Sequence, residues 1–236
     1  RLDQVAVVEH PHRDEGAGRA IILEEIGVVV VAQALRRRDQ LGGIVFQARL
    51  GTMREKTERV VKLTRMLSEI LRPELTETTC RAASLCKADL LTSMVGEFPS
   101  LQGIMGRAYA QRDGEPEAVA MAIQEHYMPK RAGAELPTSD GGAILGLADR
   151  IDTIAGCFGI GQVPTGTADP FGLRRLSLAV LNIITGKGYR LSLSEVVHKA
   201  LALYGDKVDA GAATVKAVTA FIQGRFVNDC AAKGMD

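Results

Sequence analysis

The sequence predicts a mainly α-helical fold, and three observations support this prediction. Apolar residues recur at helical spacing over most of the chain after residue 50. Proline and glycine divide these periodic segments into lengths that are typical of helices. Almost no segment after residue 50 resembles a strand. Residues 1–45 form a short segment of uncertain structure, in which the run Val28–Val31 fits either a buried strand or part of a helix.

The first predicted helix lies between Thr52 and Pro73. Its buried face is a stripe of six residues, namely Met53, Thr57, Val60, Thr64, Leu67 and Leu71. The opposite face carries two ion pairs at i,i+4 spacing, Glu55–Arg59 and Glu58–Lys62. Pro73 is expected to end this helix.

Three further helices are predicted before residue 130. The second runs from about Thr78 to Glu97, and the third begins at Ser100. The fourth begins at Glu115-Pro116 and ends before Pro129. The second of these helices contains a carboxylate, Asp89, among apolar neighbours, and a buried carboxylate is costly unless it has a partner.

Capping residues predict the remaining helices. Ser139 or Asp140 can cap a helix of small and apolar residues that ends near Phe158. Asp169-Pro170 is expected to start the next helix, with an acid as N-cap and proline in the first turn. Ser192–Glu195 reads as a capping box, and the last helix is predicted over about residues 212–226.

Composition excludes several classes of protein. The net charge of the 236-residue chain is only +1, so any contact with nucleic acid must come from a local basic patch. Aromatic residues make up 4 % of the chain, which argues against a base-stacking platform. The four cysteines include no CxxC pair, so a reducing cytosol fits better than a disulfide framework. The apolar run Val28–Ala32 is too short to span a membrane, and Arg1 suggests that the chain starts inside something longer.

The acidic residues leave two interpretations open. Asp149 and Asp152 lie at i,i+3 on one predicted helix, and with Asp89 they could form a carboxylate cluster for a divalent cation. Alternatively, Asp149 pairs with Arg150 or another arginine, and Asp152 lies at the edge of the apolar stripe. His126, next to a helix end, is interpreted as a capping or packing residue.

Basic residues occur in three groups that could contact phosphates. The groups are Arg174 and Arg175, the first-helix set of Arg54, Lys56, Arg59, Lys62 and Arg65, and the pair Lys130 and Arg131. The alternative interpretation is that these side chains are only solvated.

Five segments resemble the β subunit of bacterial tetrameric glycyl-tRNA synthetase, in the same order and with matching gaps. They are VFQARLGTMREKTERV (Val45–Val60), CKADLLTSMVGEFPSLQGIMGRAYA (Cys86–Ala110), EHYMPKRAGAELPTS (Glu125–Ser139), LADRIDTIAGCFGIGQVPTGTADPFGLRRLSLAVLNII (Leu147–Ile184) and ALYGDKV (Ala202–Val208). LDQVAVVEHP (Leu2–Pro11) weakly resembles a stretch further upstream in that subunit, whereas residues 12–44 depart from the family.

The resemblance implies a function in tRNA charging. The family attaches glycine to tRNA(Gly) at the expense of ATP, with Mg, in a catalytic site that belongs to a separate α subunit. The β subunit supplies tRNA binding within a cytoplasmic hetero-oligomer that has no membrane partner. This chain alone is therefore expected to bind no cofactor and to be inactive.

The resemblance also implies a domain organisation, with an HD-like helical domain over residues 46–160 and a helical extension over residues 161–236. In HD hydrolases a metal is held by a His, a His-Asp pair and a later Asp. These positions correspond to Lys56, Ala88-Asp89 and Asp149 here, so two imidazoles are missing and no metal is expected. Asp89 and Asp149 are expected to be structural acids that pair with Lys56.

Three functions follow as expectations. The first is a tRNA-binding, non-catalytic part of glycine–tRNA ligase. Its expected contact residues are Arg174, Arg175, Lys56, Arg59 and Lys62. The second is an HD-type metal-dependent phosphohydrolase, which the missing histidines oppose. The third is a structural helical module that docks the α subunit.

Overall fold

The computed structural model describes residues 38–232, and this part of the chain is mainly α-helical, as predicted. Its α-helices are α1 (Met53–Leu71), α2 (Thr76–Leu85), α3 (Ser93–Glu97), α4 (Ile104–Arg112), α5 (Glu117–Glu125), α6 (Asp140–Gly159), α7 (Leu173–Gly186), α8 (Leu193–Ala202) and α9 (Ala212–Ala232). The interpretations of Leu2–Pro11 and Val28–Val31 concern residues outside the described part.

A small antiparallel hairpin precedes α1. Its strands are β1 (Val45–Gln47) and β2 (Gly51–Thr52), and Val45 lies opposite Thr52. The 3₁₀ turn Arg38–Gly43 leads into it. Thr52 then forms a capping box with Glu55, which fixes the start of α1.

The predicted end and buried stripe of α1 are confirmed, whereas the two predicted i,i+4 ion pairs are wrong. Glu55 pairs with Lys207 and Glu58 pairs with Arg54. Arg59 is buried and pairs with Asp152. The helix ends at Leu71, immediately before a 3₁₀ turn that begins with Pro73. Within the predicted stripe, Val60, Leu67 and Leu71 are buried together with both threonines. This face packs against α2 and α6.

The prediction of one continuous helix from about Thr78 to Glu97 is wrong. The chain leaves α2 and forms a 3₁₀ turn at Ala88–Leu91 before α3 begins. Thr92 has extended backbone, and its hydroxyl accepts a hydrogen bond from the Val95 amide as a new N-cap. Asp89 therefore lies in a tight turn between two helices.

Two other predicted helix starts are also wrong, and turns explain both. Pro99–Leu101 forms a 3₁₀ turn, so α4 begins at Ile104 rather than at Ser100. The carboxylate of Asp169 accepts hydrogen bonds from the backbone amides of Leu173 and Arg174, but it does so from four residues before α7. The N-cap is Gly172, so the prediction of Asp169 as N-cap is wrong, although its carboxylate satisfies two amides of the first turn.

The other predicted N-cap residues are confirmed. Ser139 is the N-cap of α6, and its hydroxyl accepts a hydrogen bond from the Gly142 amide. Ser192 caps α8 in the same way through the Glu195 amide. Helix α9 begins at Ala212 and continues beyond the predicted end at Phe226.

Helix α6 is the centre of the fold. Sixteen of its twenty residues are buried, which is typical of a helix that is surrounded by others. It packs against α1, α2, α5, α7, α8 and α9. One apolar core cluster includes residues on both sides of residue 160, such as Ile151 of α6 and Val197 of α8. No helix in residues 38–232 is long and apolar enough to cross a membrane.

Candidate functional site

Lys56 joins two carboxylates at the centre of the molecule. Asp149, Asp152 and Thr153 lie on adjacent turns of α6 and face α1, which carries Lys56. Lys56 is only 3 % exposed. Its Nζ lies 3.1 Å from Asp149 Oδ1 and 3.1 Å from Asp152 Oδ2, and it donates to Thr153 Oγ1 at 2.8 Å. One ammonium group thus bridges both acids.

Each acid has a second cation. Arg59, one turn after Lys56, donates from Nε to Asp152 Oδ1 at 2.8 Å. Lys87, between α2 and the following 3₁₀ turn, lies with its Nζ 3.1 Å from Asp149 Oδ2. All three basic side chains are buried. The network therefore contains three cations and two carboxylates.

Aromatic side chains enclose this network. The Tyr204 hydroxyl lies 3.1 Å from Asp152 Oδ2, and the Arg59 guanidinium stacks 3.8 Å from the centre of the Tyr204 ring. Lys56 Nζ lies 4.6 Å from the centre of the Phe46 ring. The residues around Tyr204 in the sequence do not predict this contact. Tyr204 reaches Asp152 only because α6 and α8 pack together.

His126 is held as a neutral imidazole. Its Nδ1 lies 2.6 Å from the Ile123 carbonyl oxygen, and its Nε2 lies 3.0 Å from Lys87 Nζ. Since an ammonium group only donates, Nε2 must accept and Nδ1 carries the proton. Burial, together with the charge of Lys87, holds the pKa of His126 well below its usual value. His126 is a packed, hydrogen-bonded residue, in line with the sequence interpretation.

Asp149 is ionised despite its surroundings. Burial alone would raise its pKa, but Lys56 and Lys87 hold the pKa of this carboxyl well below its usual range. Its partners are the two lysines. The alternative that Asp149 pairs with Arg150 is not what is observed, because the Arg150 guanidinium donates to carbonyl oxygens.

The expected pair between Lys56 and Asp89 is wrong. Asp89 is 1 % exposed, and its Oδ2 accepts a hydrogen bond of 2.7 Å from the Gly103 amide. Its Oδ1 has no hydrogen-bond partner within residues 38–232, and burial raises the pKa of this carboxyl. Because the chain turns after α2, Lys87 faces Asp149 and Asp89 faces the connection before α4. Asp89 therefore has a structural role that differs from the predicted one.

The residues present do not fit a divalent metal ion. Each carboxylate oxygen of Asp149 lies 3.1 Å from a lysine ammonium group, so the positions that a metal would need already face positive charge. Within the described part of the chain, no group of three or more His, Cys, Asp or Glu side chains could hold a metal ion. The interpretation of Asp89, Asp149 and Asp152 as a metal-binding cluster is not supported.

The basic residues that were expected to contact tRNA fall into two groups. Lys56 and Arg59 are buried in the network, and this burial argues against the expectation that they contact tRNA. Lys62 and Arg175 are exposed, and Arg174 is half-buried. The exposed position of Arg175 on α7 places it beside a cavity.

This cavity has a volume of about 350 Å³ and lies directly over the network. Tyr127, Asp149 and Arg150 belong to its wall, together with Lys130, Ser100 and Arg175. Tyr127 also accepts a hydrogen bond of 3.1 Å from Lys87 Nζ. The cavity thus connects the buried cations to solvent-exposed ones.

Arg150 is a buried cation whose acceptors are neutral. It is 6 % exposed, and Nη1 donates to the carbonyl oxygens of His126 and Gly146 at 2.7 and 3.0 Å. Nη2 donates to the Met128 carbonyl oxygen at 2.8 Å. Burial lowers the pKa of Arg150 to about 10, so it remains charged at neutral pH. Among the described residues, no carboxylate forms an ion pair with it.

Fold and site together define a class of protein, namely a helical module with a buried ionic network. In this network basic side chains pair with two carboxylates, and a cavity with basic residues in its wall lies above them. The family model described as "Glycyl-tRNA synthetase beta subunit" matches residues 32–236, and the chain belongs to this family. The resemblance of the five sequence segments is therefore confirmed.

Several curated relatives carry the name "Glycine--tRNA ligase beta subunit". The chain is 54 % identical over 193 residues to the protein from Geobacter metallireducens and covers 28 % of it, with 81 % of this chain aligned. For Geobacter sulfurreducens the identity is 52 % with the same coverage of both chains. For Syntrophotalea carbinolica it is 52 % over 200 residues, or 84 % of this chain and 29 % of the relative. The chain thus spans less than a third of these relatives' length.

Proposed function

We propose that this chain is a tRNA-binding, non-catalytic part of the β subunit of glycine–tRNA ligase. It supports the ATP-dependent attachment of glycine to tRNA(Gly) by a separate α subunit in the cytoplasm. The family membership supports the reaction class. One observation carries the tRNA-binding role: Lys130 and Arg175, which are far apart in sequence, flank the same cavity and have no acidic partner in the described structure.

Free cations matter because nucleic-acid backbones are bound by charge. Several other basic side chains in residues 38–232 already form ion pairs, for example Arg65 with Glu77, Arg81 with Glu115 and Arg107 with Glu117. Lys130 and Arg175 keep their charge available for phosphates. Arg131 directly follows Lys130, Arg174 directly precedes Arg175, and both extend the basic surface.

We also propose that this chain has no catalytic activity on its own. The acids and bases of the network satisfy one another, and Lys87 occupies the free nitrogen of His126. ATP, with Mg, is then used by the α subunit and not by this chain. The HD-type phosphohydrolase alternative is disfavoured by the same contacts, since two lysines face the carboxylate that would hold the metal.

The experiment is a binding titration of the chain with labelled tRNA(Gly) at several salt concentrations. The double variant Lys130→Glu with Arg175→Glu is expected to lose at least tenfold in affinity. The slope of log affinity against log salt should fall by about 2, one unit for each lost phosphate contact. The matched control is Lys199→Glu with Lys216→Glu, two exposed lysines beside a different groove. Equal losses in both double variants would refute this binding surface.

A second candidate function is docking of the α subunit. It is favoured by exposed apolar side chains in and around the connection between α3 and α4, where Phe98 is 53 % and Ile104 is 42 % exposed. Phe98→Ser with Ile104→Ser should then abolish co-purification with the α subunit, whereas Ile70→Ser on α1 should not. Unchanged co-purification would contradict the docking role without touching the tRNA proposal.

A further inference from the structure

We infer that the cavity above the ionic network is a binding site for the phosphate group of a single nucleotide unit. The inference rests on the charges of the cavity wall, on the contacts of Arg150, and on the size and polarity of the cavity.

The cavity wall carries more positive than negative charge. Lys130, Arg150 and Arg175 belong to it, and Asp149 is the carboxylate that faces it within the described part of the chain. Asp149 is already neutralised by two buried ammonium groups, at 3.1 Å each. The three wall cations therefore lack an internal counter-charge, and an anion placed in the cavity would supply it.

Arg150 provides an independent observation. Its terminal nitrogens donate only to backbone carbonyl oxygens, and its Nε has no hydrogen-bond partner within residues 38–232 although the atom is buried. A guanidinium group has only donors, and the neutral carbonyl acceptors leave the charge of Arg150 without a counter-charge. Phosphate oxygens match a guanidinium group in geometry and in charge.

The cavity also fits a nucleotide better than a bare ion. Its volume of about 350 Å³ lies within the range of small-ligand sites. Ser100, Gln102 and Tyr127 offer hydrogen bonds, whereas Pro99, Leu176 and Ala179 form apolar walls. The polar and basic side suits a phosphate, and the apolar side suits the attached sugar or base.

The phosphate has two possible sources, a free nucleotide or a nucleotide of the RNA chain. The second source rests on the proposed tRNA-binding function, whereas the first does not. Both are tested with AMP, with adenosine as the uncharged comparator and with labelled tRNA(Gly). Binding to the chain is measured by calorimetry, at constant ionic strength.

The test uses one variant that fills the cavity and one that removes a charge. Ser100 is exposed at the cavity, so Ser100→Trp occludes it without a change of charge. Arg175→Gln removes one cation and keeps a similar shape. Lys199→Gln, at a different groove, is the matched control.

For a free nucleotide, AMP should bind at least tenfold more tightly than adenosine. Ser100→Trp should abolish this binding, Arg175→Gln should weaken it about tenfold, and Lys199→Gln should leave it unchanged. If AMP does not bind but Ser100→Trp and Arg175→Gln each weaken tRNA binding at least tenfold, the phosphate belongs to the RNA.

The inference is overturned if AMP binds no better than adenosine and Ser100→Trp leaves the tRNA affinity unchanged. That outcome is distinguishable from failure of the proposed function, which is judged by the charge reversal at Lys130 and Arg175. Should Ser100→Trp lower the melting temperature strongly, Arg175→Gln decides in its place, because its side chain is exposed.

Discussion

At the level of single residues, the ionic network contains more positive charge than negative charge, and this predicts unequal effects of substitution. Asp152→Asn would leave Lys56, Arg59 and Lys87 with Asp149 as their one shared carboxylate. We expect it to lower the free energy of unfolding by about 3–5 kcal/mol, the usual cost of an uncompensated buried charge. Urea denaturation measures the loss.

Lys56→Met is the matched comparison for that prediction. It leaves one cation for each acid, Lys87 with Asp149 and Arg59 with Asp152. The expected cost is about 1–3 kcal/mol, which corresponds to lost hydrogen bonds to charged groups. A cost for Lys56→Met equal to or above that of Asp152→Asn would contradict this account of the charge balance.

His126 predicts a pH dependence of stability. Its folded-state pKa is well below 6.5, because burial and then Lys87 disfavour its protonated form. Below pH 6.5 the unfolded chain therefore binds a proton that the folded chain does not. The free energy of unfolding should fall as the pH is lowered from 6.5, by up to about 1.4 kcal/mol per pH unit. His126→Gln should reduce this slope, whereas His198→Gln, at an exposed position of α8, should retain it.

Single residues also mark the limit of sequence reasoning here. The family resemblance correctly associates Lys56 with Asp149, because both occupy positions of one site. The resemblance does not identify Lys87 as part of this site. Lys87 lies two residues before Asp89, and its side chain reaches Asp149 only because the chain turns after α2. A lysine within the apolar stretch around Leu85 and Leu90 was the available signal.

At the level of elements, the close approach of α6 to the end of α8 predicts an effect at Gly156. A Cβ atom at this position would lie 2.3 Å from the Tyr204 hydroxyl oxygen and 2.6 Å from the adjoining ring carbon. Gly156→Ala must therefore displace Tyr204 from Asp152. We expect a loss of about 1–3 kcal/mol in the free energy of unfolding, measured by urea denaturation.

Gly224→Ala in α9 is the control for Gly156. Among the described residues, and apart from the nearby backbone of α9 itself, no atom lies within 4 Å of the Cβ position there. The control substitution should stabilise the helix by about 0.5–1 kcal/mol, the usual advantage of alanine over glycine. If both substitutions were stabilising, the tight packing of Tyr204 against α6 would be refuted.

Helix existence was more predictable than helix ends. Periodicity and Pro73 located α1 closely, and the cap at Ser139 with the following apolar stripe located α6. The break around Asp89 was missed because the apolar pattern continues through the 3₁₀ turn. The predicted start of α7 at Asp169 was wrong for another reason, since this carboxylate bonds to the first amides of α7 across an intervening turn.

At the level of the whole molecule, the continuous core predicts cooperative unfolding. Helix α6 belongs to the predicted domain at residues 46–160, yet it packs against α7, α8 and α9 of the predicted extension. Tyr204, which belongs to the predicted extension, donates a hydrogen bond to Asp152, the acid that pairs with Arg59. Both segments should therefore unfold in a single transition, with the same midpoint by circular dichroism and by tyrosine fluorescence. Two separated midpoints would show that the segments are independent.

The lysine ammonium groups at the centre of the fold differ from a metal ion in one further respect. Lys56 and Lys87 are synthesised with the chain, so their charge needs no supply from the cell and cannot be withdrawn by a chelator. The three donors of Lys56 are already directed at Asp149, Asp152 and Thr153, so none remains for a phosphoryl oxygen. The positive charge at the centre of this molecule is thus part of the polypeptide itself.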